Sequence, residues 1–254
     1  MPTISVDQNL LSSLLSKHGC KHDVNDVDHR LPLLGTDIDR CDEETLDIEI
    51  FPNRPDLLSA ETLSLAMRGF LHNQVTLQDE SLNESGIAMT VEAELANIRP
   101  VILGAVVRGL EMESDEEMDA FIKQLMDHQE KLHFALGRGR RRASIGVHDL
   151  STLHPPFTVK AVDRNHSFVP LAMENSMTID EILSSHPKGV DYAHLLEGME
   201  MVPVIEDANG SVLSFPPIIN GAHTTVQSST RDLFIDVTGW DRRCLLYTSP
   251  SPRD

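Results

Sequence analysis

The sequence contains little cysteine and little positive charge. Its three cysteines, Cys20, Cys41 and Cys244, are too few for a disulfide framework and form no CxxC pair, which favours a reducing compartment. Lysine and arginine number 21 against 40 aspartates and glutamates, so the net charge is −19. This balance disfavours binding of nucleic acid or of an anionic membrane through overall charge, although it allows a local basic patch.

Targeting and membrane signals are also absent. The first residues, MPTISVDQN, have neither a basic nor an apolar signal region, and the longest strongly apolar stretch, 101–107, is far too short to span a bilayer. The hydrophobic fraction of 40% is enough for a core, and 254 residues allow one large domain or two modest ones. We therefore expect a soluble, cytoplasmic protein without a membrane partner.

The apolar pattern predicts many short strands and a few helices, a mixed α+β fold in two units. The predicted helices cover 8–19, 59–71, 115–136 and a short segment after the capping box of Thr178 and Glu181. The predicted strands cover 45–51, 88–95, 101–108, 143–147, 157–163 and 233–238, with a hairpin turn at Asn209-Gly210. The polar segment 73–86 is the predicted linker.

Motifs for nucleotide-triphosphate binding, zinc proteolysis and serine hydrolysis are missing, since there is no GxxxxGK[ST], HExxH or GxSxG. The segment 137–142 begins like a dinucleotide loop, but Arg142 replaces the third glycine and the turn leads into a strand. His18, Cys20 and His22, with Cys41, lack the paired spacing of a zinc site. Exposed histidines at a helix end are the favoured interpretation, and no metal site is predicted.

A basic turn follows the acidic helix, with Arg138, Arg140, Arg141 and Arg142 inside five residues. One interpretation is contact with RNA phosphates. The other is a solvated turn that offsets the acidic helix through weak ion pairs. The sequence alone leaves both open.

The strand LFIDVTG carries a carboxylate, Asp236, on the same face as Phe234 and Thr238. A carboxylate and a hydroxyl beside an aromatic ring suit a small polar pocket. The alternative is an edge strand whose second face meets water, which is the usual source of such alternation.

Six motifs, taken in order, resemble the N-terminal half of the β subunit of phenylalanyl-tRNA synthetase, of the archaeal and eukaryotic type. They are EIFPNRPDLLS at 49–59, QEKLH at 129–133, GRGRRRASIGVHD at 137–149, HPKG at 186–189, SFPPIIN at 214–220 and LFIDVTG at 233–239. The resemblance implies a small N-terminal α+β domain at 1–80 and a mixed α/β editing domain with antiparallel-rich sheets at 87–241. Residues 244–254 fit nothing before them in the chain, and Pro250 and Pro252 bar regular structure. We expect a non-native tail that truncates the editing domain, and the alternative is an ordinary flexible terminus.

The family's editing domain hydrolyses tyrosine wrongly esterified to phenylalanine tRNA, whereas ATP and magnesium serve the complete α/β enzyme. The implied partners are the α subunit and phenylalanine tRNA, and no cofactor is expected in this part. An alternative is a non-catalytic RNA-binding or subunit-scaffold module of the same fold.

Selection against phenylalanine demands recognition of the tyrosine hydroxyl, because phenylalanine fits any site that admits tyrosine. A site that hydrogen-bonds the hydroxyl rejects the analogue lacking it by roughly 10⁴–10⁵. Asp236 matches the family's acidic residue in this pocket and is predicted to bind the hydroxyl. The predicted neighbours are Thr238 and Asn220, with Gly221 for close backbone approach and His148 or His223 as a base; Arg138, Arg140, Arg141 and Arg142 are the predicted RNA contacts.

Overall fold

The computed structural model describes residues 2–74, 83–112, 114–243 and 245. These residues form two compact units. The first unit comprises the described part of 1–81 together with 124–136, and the second comprises the described part of 82–123 and of 137–254. Within the described residues, no helix is both long enough and apolar enough to cross a membrane.

The first unit is a three-stranded antiparallel sheet covered by helices. Its strands are β1 (Thr3–Asp7), β2 (Thr36–Cys41) and β3 (Thr45–Ile50), in the order β1-β3-β2. Its helices are α1 (Gln8–Ser16), α2 (Val24–Arg30), α3 (Ala60–His72) and the second half of α4 (Asp115–Ala135). Alternation along β3 buries Leu46, Ile48 and Ile50 in an aliphatic core.

Local capping defines the ends of helices α1 and α3 in the first unit. The Asp7 carboxylate accepts hydrogen bonds from the amides of Asn9 and Leu10, which satisfies the open end of α1. Ser59 and Thr62 form a capping box at the start of α3. Asn73 ends that helix in the left-handed region, with φ of 52°.

The second unit stacks a helical layer, a five-stranded sheet and a three-stranded sheet. The larger sheet has the order β12-β11-β10-β7-β4, and the smaller has the order β5-β13-β6. The strands are β4 (Met89–Val91), β5 (Val101–Val107), β6 (Ala143–Asp149), β7 (Phe157–Asp163), β8 (Ser167–Phe168), β9 (Met177–Thr178), β10 (Met201–Glu206), β11 (Val212–Phe215), β12 (Ile219–Asn220) and β13 (Leu233–Gly239). The helices are the first half of α4, α5 (Ile179–Ser185) and α6 (Pro187–Tyr192).

Both faces of the five-stranded sheet are apolar. One face packs against α5, where Ile179 and Ile182 are fully buried. The opposite face packs against the three-stranded sheet, with the rings of Phe157 and Phe234 centred 4.7 Å apart. The face of β13 that carries Phe234 therefore points into the protein interior.

Several elements differ from the sequence prediction. The predicted strand 88–95 is wrong beyond Val91, because the chain turns into the 3-10 helix Ala93–Asn97 and buries Leu95. β1, β2, α2 and α6 were not predicted. Most of the predicted linker and all of the predicted tail except Leu245 lie outside the described residues. Leu245 is buried against Ala143 and Val237. The α+β class and the mainly antiparallel pairing are confirmed, with β4 and β7 as a parallel pair.

Candidate functional site

Asp236 lies in the middle of the central strand of the smaller sheet. Its cross-strand neighbours are Gly104 on β5 and Gly146 on β6. A methyl group added to Gly146 would lie 2.0 Å from Asp236 Oδ2, so the carboxylate occupies the space that a side chain would fill. The edge-strand alternative is wrong, because Asp236 is only 1% exposed and both of its strand neighbours are paired.

His148 forms a hydrogen bond with one oxygen of the Asp236 carboxylate. Its Nε2 lies 2.8 Å from Asp236 Oδ2, and its Nδ1 lies 2.9 Å from Thr224 Oγ1. The Thr224 hydroxyl donates to the Gly221 carbonyl at 3.0 Å, so its oxygen accepts the Nδ1 proton of His148. One further proton then lies between Nε2 and Oδ2. The pair is neutral overall, which is the state that burial favours.

The second oxygen of Asp236 is an open acceptor. Oδ1 makes no hydrogen bond to any described residue, whether the shared proton belongs to the histidine or to the carboxyl. A hydroxyl group of a ligand would thus find an acceptor whose orientation is already fixed by His148. The rings of Phe234 and His148 stack with centroids 5.9 Å apart, so two aromatic rings share this part of the sheet with the carboxylate.

Arg99 continues the polar row beyond Asp236. Its Nε donates to Thr238 Oγ1 at 2.7 Å, and its Nη2 donates to the Thr238 carbonyl at 2.8 Å and to Ser144 Oγ at 3.1 Å. Ser144 and Thr238 hydroxyls also lie 2.9 Å apart. Burial lowers the pKa of Arg99 to about 10, while the negative charge of Asp236 acts in the opposite direction. Arg99 therefore stays charged at neutral pH.

The segment that follows β11 brings three more of the predicted residues near this row. Asn220 Nδ2 donates to the Val147 carbonyl at 3.2 Å, which attaches β12 to β6. A methyl group on Gly221 would lie 2.2 Å from the Val212 carbonyl oxygen, so close approach here is between backbone segments. His223 is exposed, and burial of part of its ring lowers its pKa, with the charge of Asp207 opposing this effect. It is therefore mainly neutral at neutral pH and able to accept a proton.

The arginine turn divides into one buried and three exposed side chains. Arg138, Arg141 and Arg142 are exposed. Arg140 is buried, donates from Nη1 to the carbonyls of Pro217 and Ile218 at 3.2 and 2.8 Å, and lies over the Tyr192 ring at 4.3 Å. The prediction of RNA contact by Arg140 is therefore corrected: its guanidinium secures the turn to the unit's interior.

The histidines and cysteines near the end of α1 have ordinary protein partners. His22 Nε2 lies 2.8 Å from Gln8 Oε1, and Cys20 Sγ donates to Gln74 Oε1 at 3.4 Å. Throughout the part of the chain that the structure describes, no three or more His, Cys, Asp and Glu side chains are grouped as a metal site requires.

Sequence reasoning missed Arg99, Ser144 and Thr224. Arg99 and Thr224 lie outside the six motifs, whereas Ser144 lies inside the motif at 137–149. The importance of all three depends on pairing between distant strands. Gly104 and Gly146 were the available signal, since a glycine inside a strand often marks close approach of another group.

Comparison with known proteins supports a common origin. The B3/4 domain family model matches residues 103–251, more than half of the chain. The phenylalanine–tRNA ligase beta subunit of Methanococcoides burtonii is 46% identical over 239 residues, which is 94% of this chain and 42% of that protein. The Archaeoglobus fulgidus beta subunit is 49% identical over 212 residues, covering 84% of this chain and 38% of that protein. The chain thus spans about two fifths of these relatives.

A solved structure agrees with the sequence relatives. The crystal structure of an N-terminal fragment of the phenylalanyl-tRNA synthetase beta subunit from Pyrococcus horikoshii aligns with a TM-score of 0.84 and 30% identity. The alignment covers 97% of this chain and 71% of that fragment. The resemblance seen in the six sequence motifs is confirmed: the chain belongs to the phenylalanine–tRNA ligase β-subunit family, whose members serve protein synthesis, and contains a B3/4 domain.

Proposed function

We propose that this chain carries the editing region of a phenylalanine–tRNA ligase β subunit, which hydrolyses tyrosine wrongly esterified to phenylalanine tRNA. The observation that carries the proposal is Asp236: one oxygen is fixed by His148, and the other is an acceptor without a partner among the described residues. Such an acceptor suits the one group that distinguishes tyrosine from phenylalanine.

Recognition follows from the cost of leaving this acceptor unpaired. A phenolic O–H donates a hydrogen bond to Oδ1, whereas phenylalanine buries the same oxygen without a donor. Sites of this kind discriminate by roughly 10⁴–10⁵. Hydrogen bonds from Arg99 to Thr238 keep the adjoining end of β13 polar.

Hydrolysis requires a positioned water rather than a protein nucleophile. Backbone N–H groups hold the developing oxyanion, and His223, which is exposed and mainly neutral, is the candidate base. His148 is assigned a positioning role instead, because it is fully buried and both ring nitrogens already have partners.

In the complete enzyme, the partners of this chain are the α subunit and phenylalanine tRNA. Arg138, Arg141 and Arg142 are the exposed candidates for contact with tRNA phosphates. ATP and magnesium serve amino-acid activation by the whole α/β enzyme in the cytoplasm. Among the described residues, no three or more His, Cys, Asp and Glu side chains are grouped as a metal site requires.

Substitution Asp236→Ala in the complete enzyme tests the proposal. Deacylation of tyrosyl-tRNA should slow by at least about 10²-fold, because the hydroxyl acceptor is lost, while phenylalanine charging stays unchanged. The control is Asp180→Ala, which removes an exposed carboxylate of α5 that forms an ion pair with Arg164. Unchanged deacylation in the Asp236 variant contradicts the role.

A second candidate function is a non-catalytic RNA-binding or scaffold module. The burial of Asp236 favours it, since a carboxylate that is 1% exposed becomes accessible only after neighbouring side chains move. The discriminating assay is deacylation of tyrosyl-tRNA by the purified 254-residue chain. Binding of tRNA without any hydrolysis supports this second function.

A further inference from the structure

A cavity of about 340 Å³ lies in the second unit, next to the polar row. This size falls within the range of small-ligand sites. Its lining includes the apolar side chains of Leu196 and Met199, the polar side chains of Arg99, Arg141 and His194, and the indole ring of Trp240. The lining includes no aspartate or glutamate, although the chain has 40 of them and a net charge of −19. The cavity therefore has a local charge opposite to that of the whole chain.

Arg99 contributes a buried positive charge with unused hydrogen-bonding capacity. Its side chain is 5% exposed, and Nε and Nη2 bond to Thr238, Ser144 and the Arg140 carbonyl. Nη1, by contrast, donates to no described residue. Because Arg99 lines the cavity, this nitrogen is able to donate a hydrogen bond to an anionic group that enters it.

Arg141 supplies a second cation. It is exposed, and its guanidinium makes no hydrogen bond or ion pair with any described residue. This contrasts with its neighbour Arg140, whose guanidinium is tied to the carbonyls of residues 217 and 218. Two arginines in one lining, each with donors that no described residue uses, supply the type of group that binds phosphate.

Trp240 supplies an aromatic surface. It is the only tryptophan of the chain, and it is 45% exposed. An indole ring left open to solvent beside cationic side chains is typical of sites where a nucleic-acid base stacks.

We propose that this cavity binds a nucleotide, with its base stacked on Trp240 and its phosphate held by Arg141 and by Nη1 of Arg99. The proposal rests on the proposed function in one respect, the expectation that the nucleotide belongs to RNA. Because Arg99 bonds directly to Thr238, a nucleotide bound here lies beside the end of β13 that carries the candidate editing residues.

The sole tryptophan makes binding directly measurable in the 254-residue chain. The probes are a single-stranded RNA trinucleotide, AMP and inorganic phosphate, each titrated while Trp240 fluorescence is recorded. We expect saturable quenching by the trinucleotide and by AMP, and weak or no quenching by phosphate. Tighter binding of the trinucleotide assigns the site to RNA, and equal affinity for AMP assigns it to a free nucleotide.

Two variants test the named contacts through the anisotropy of labelled RNA. Arg141→Gln should weaken binding about tenfold and reduce the slope of log affinity against log salt by roughly 0.7, the value for one phosphate on a single strand. Trp240→Leu should weaken binding about tenfold or more through lost stacking. Arg231→Gln, an exposed arginine outside the cavity lining, is the matched control and should change neither quantity.

Absence of saturable quenching by both nucleotides overturns the proposal, as does equal weakening by Arg141→Gln and Arg231→Gln. Phosphate that binds as tightly as AMP overturns the stacking role of Trp240. Circular dichroism of each variant verifies the fold. Because binding is measured without hydrolysis, failure here is distinct from failure of the proposed deacylation.

Discussion

The two units differ in what they bury. The described polar side chains buried in the first unit are Gln8, Thr36, Ser64 and His133, beneath an aliphatic core. The second unit buries charged groups as well, including Arg99, Arg140, Asp149, Glu206, Asp207 and Asp236. Buried charge contributes little to stability compared with apolar packing, so its concentration in the second unit supports the proposal that the site lies there.

The largest effect that separates the units is expected from His148→Ala. Removal of the imidazole leaves Asp236 buried without its partner, which should lower the free energy of unfolding by about 4 kcal/mol. Urea denaturation measures the loss, and amide hydrogen exchange should assign it to the second unit. His148→Ala combined with Asp236→Ala should cost less than the sum of the single changes, and simple additivity would contradict coupling of the pair.

Gly146→Ala is expected to have the next largest effect. The new methyl group would lie 2.0 Å from Asp236 Oδ2 and 2.7 Å from His148 Nε2, so the carboxylate must leave its place. We expect a loss of about 3 kcal/mol from overpacking. Gly69→Ala in α3 is the matched control, because no atom lies within 4 Å of the added methyl group and the helix should gain about 0.5 kcal/mol. An equal change in the free energy of unfolding for the two variants would contradict the expected difference between the two units.

The smallest effect is one in which the units should agree. Asp7→Ala removes the cap of α1 in the first unit, and Thr178→Ala removes the cap of α5 in the second. Each should cost about 1 kcal/mol, because a helix end loses the acceptor of its first amides. Thermal unfolding followed by circular dichroism checks both. A much larger loss of stability for Thr178→Ala would show that the second unit tolerates substitution less well throughout, and not only around its buried charges.

Features that depend on neighbouring residues in the chain were predictable from the sequence. The capping box of Thr178 and Glu181 acts within three positions, and the structure confirms it at the start of α5. The phase of LFIDVTG placed Asp236 and Thr238 on one face, which is also confirmed.

Features that depend on distant pairing were not predictable. Alternation along β13 cannot reveal whether water or another sheet covers each face, because the covering residue Phe157 and the flanking Gly104 and Gly146 come from other segments. The cluster of arginines in the sequence identified the basic turn, but it could not show that the Arg140 side chain is buried. β1 went unnoticed because its partner, β3, lies about 40 residues further along the chain.

The division of α4 between the units has a consequence for biosynthesis. Residues 124–136 belong to the first unit, and Leu132 and Ala135 pack against its core. The amino-terminal unit is therefore incomplete when residue 81 leaves the ribosome, and its last layer arrives only after more than 40 further residues, part of the second unit, have been made. Its core stays partly open during that interval, so the order of synthesis does not separate the folding of one unit from the folding of the other.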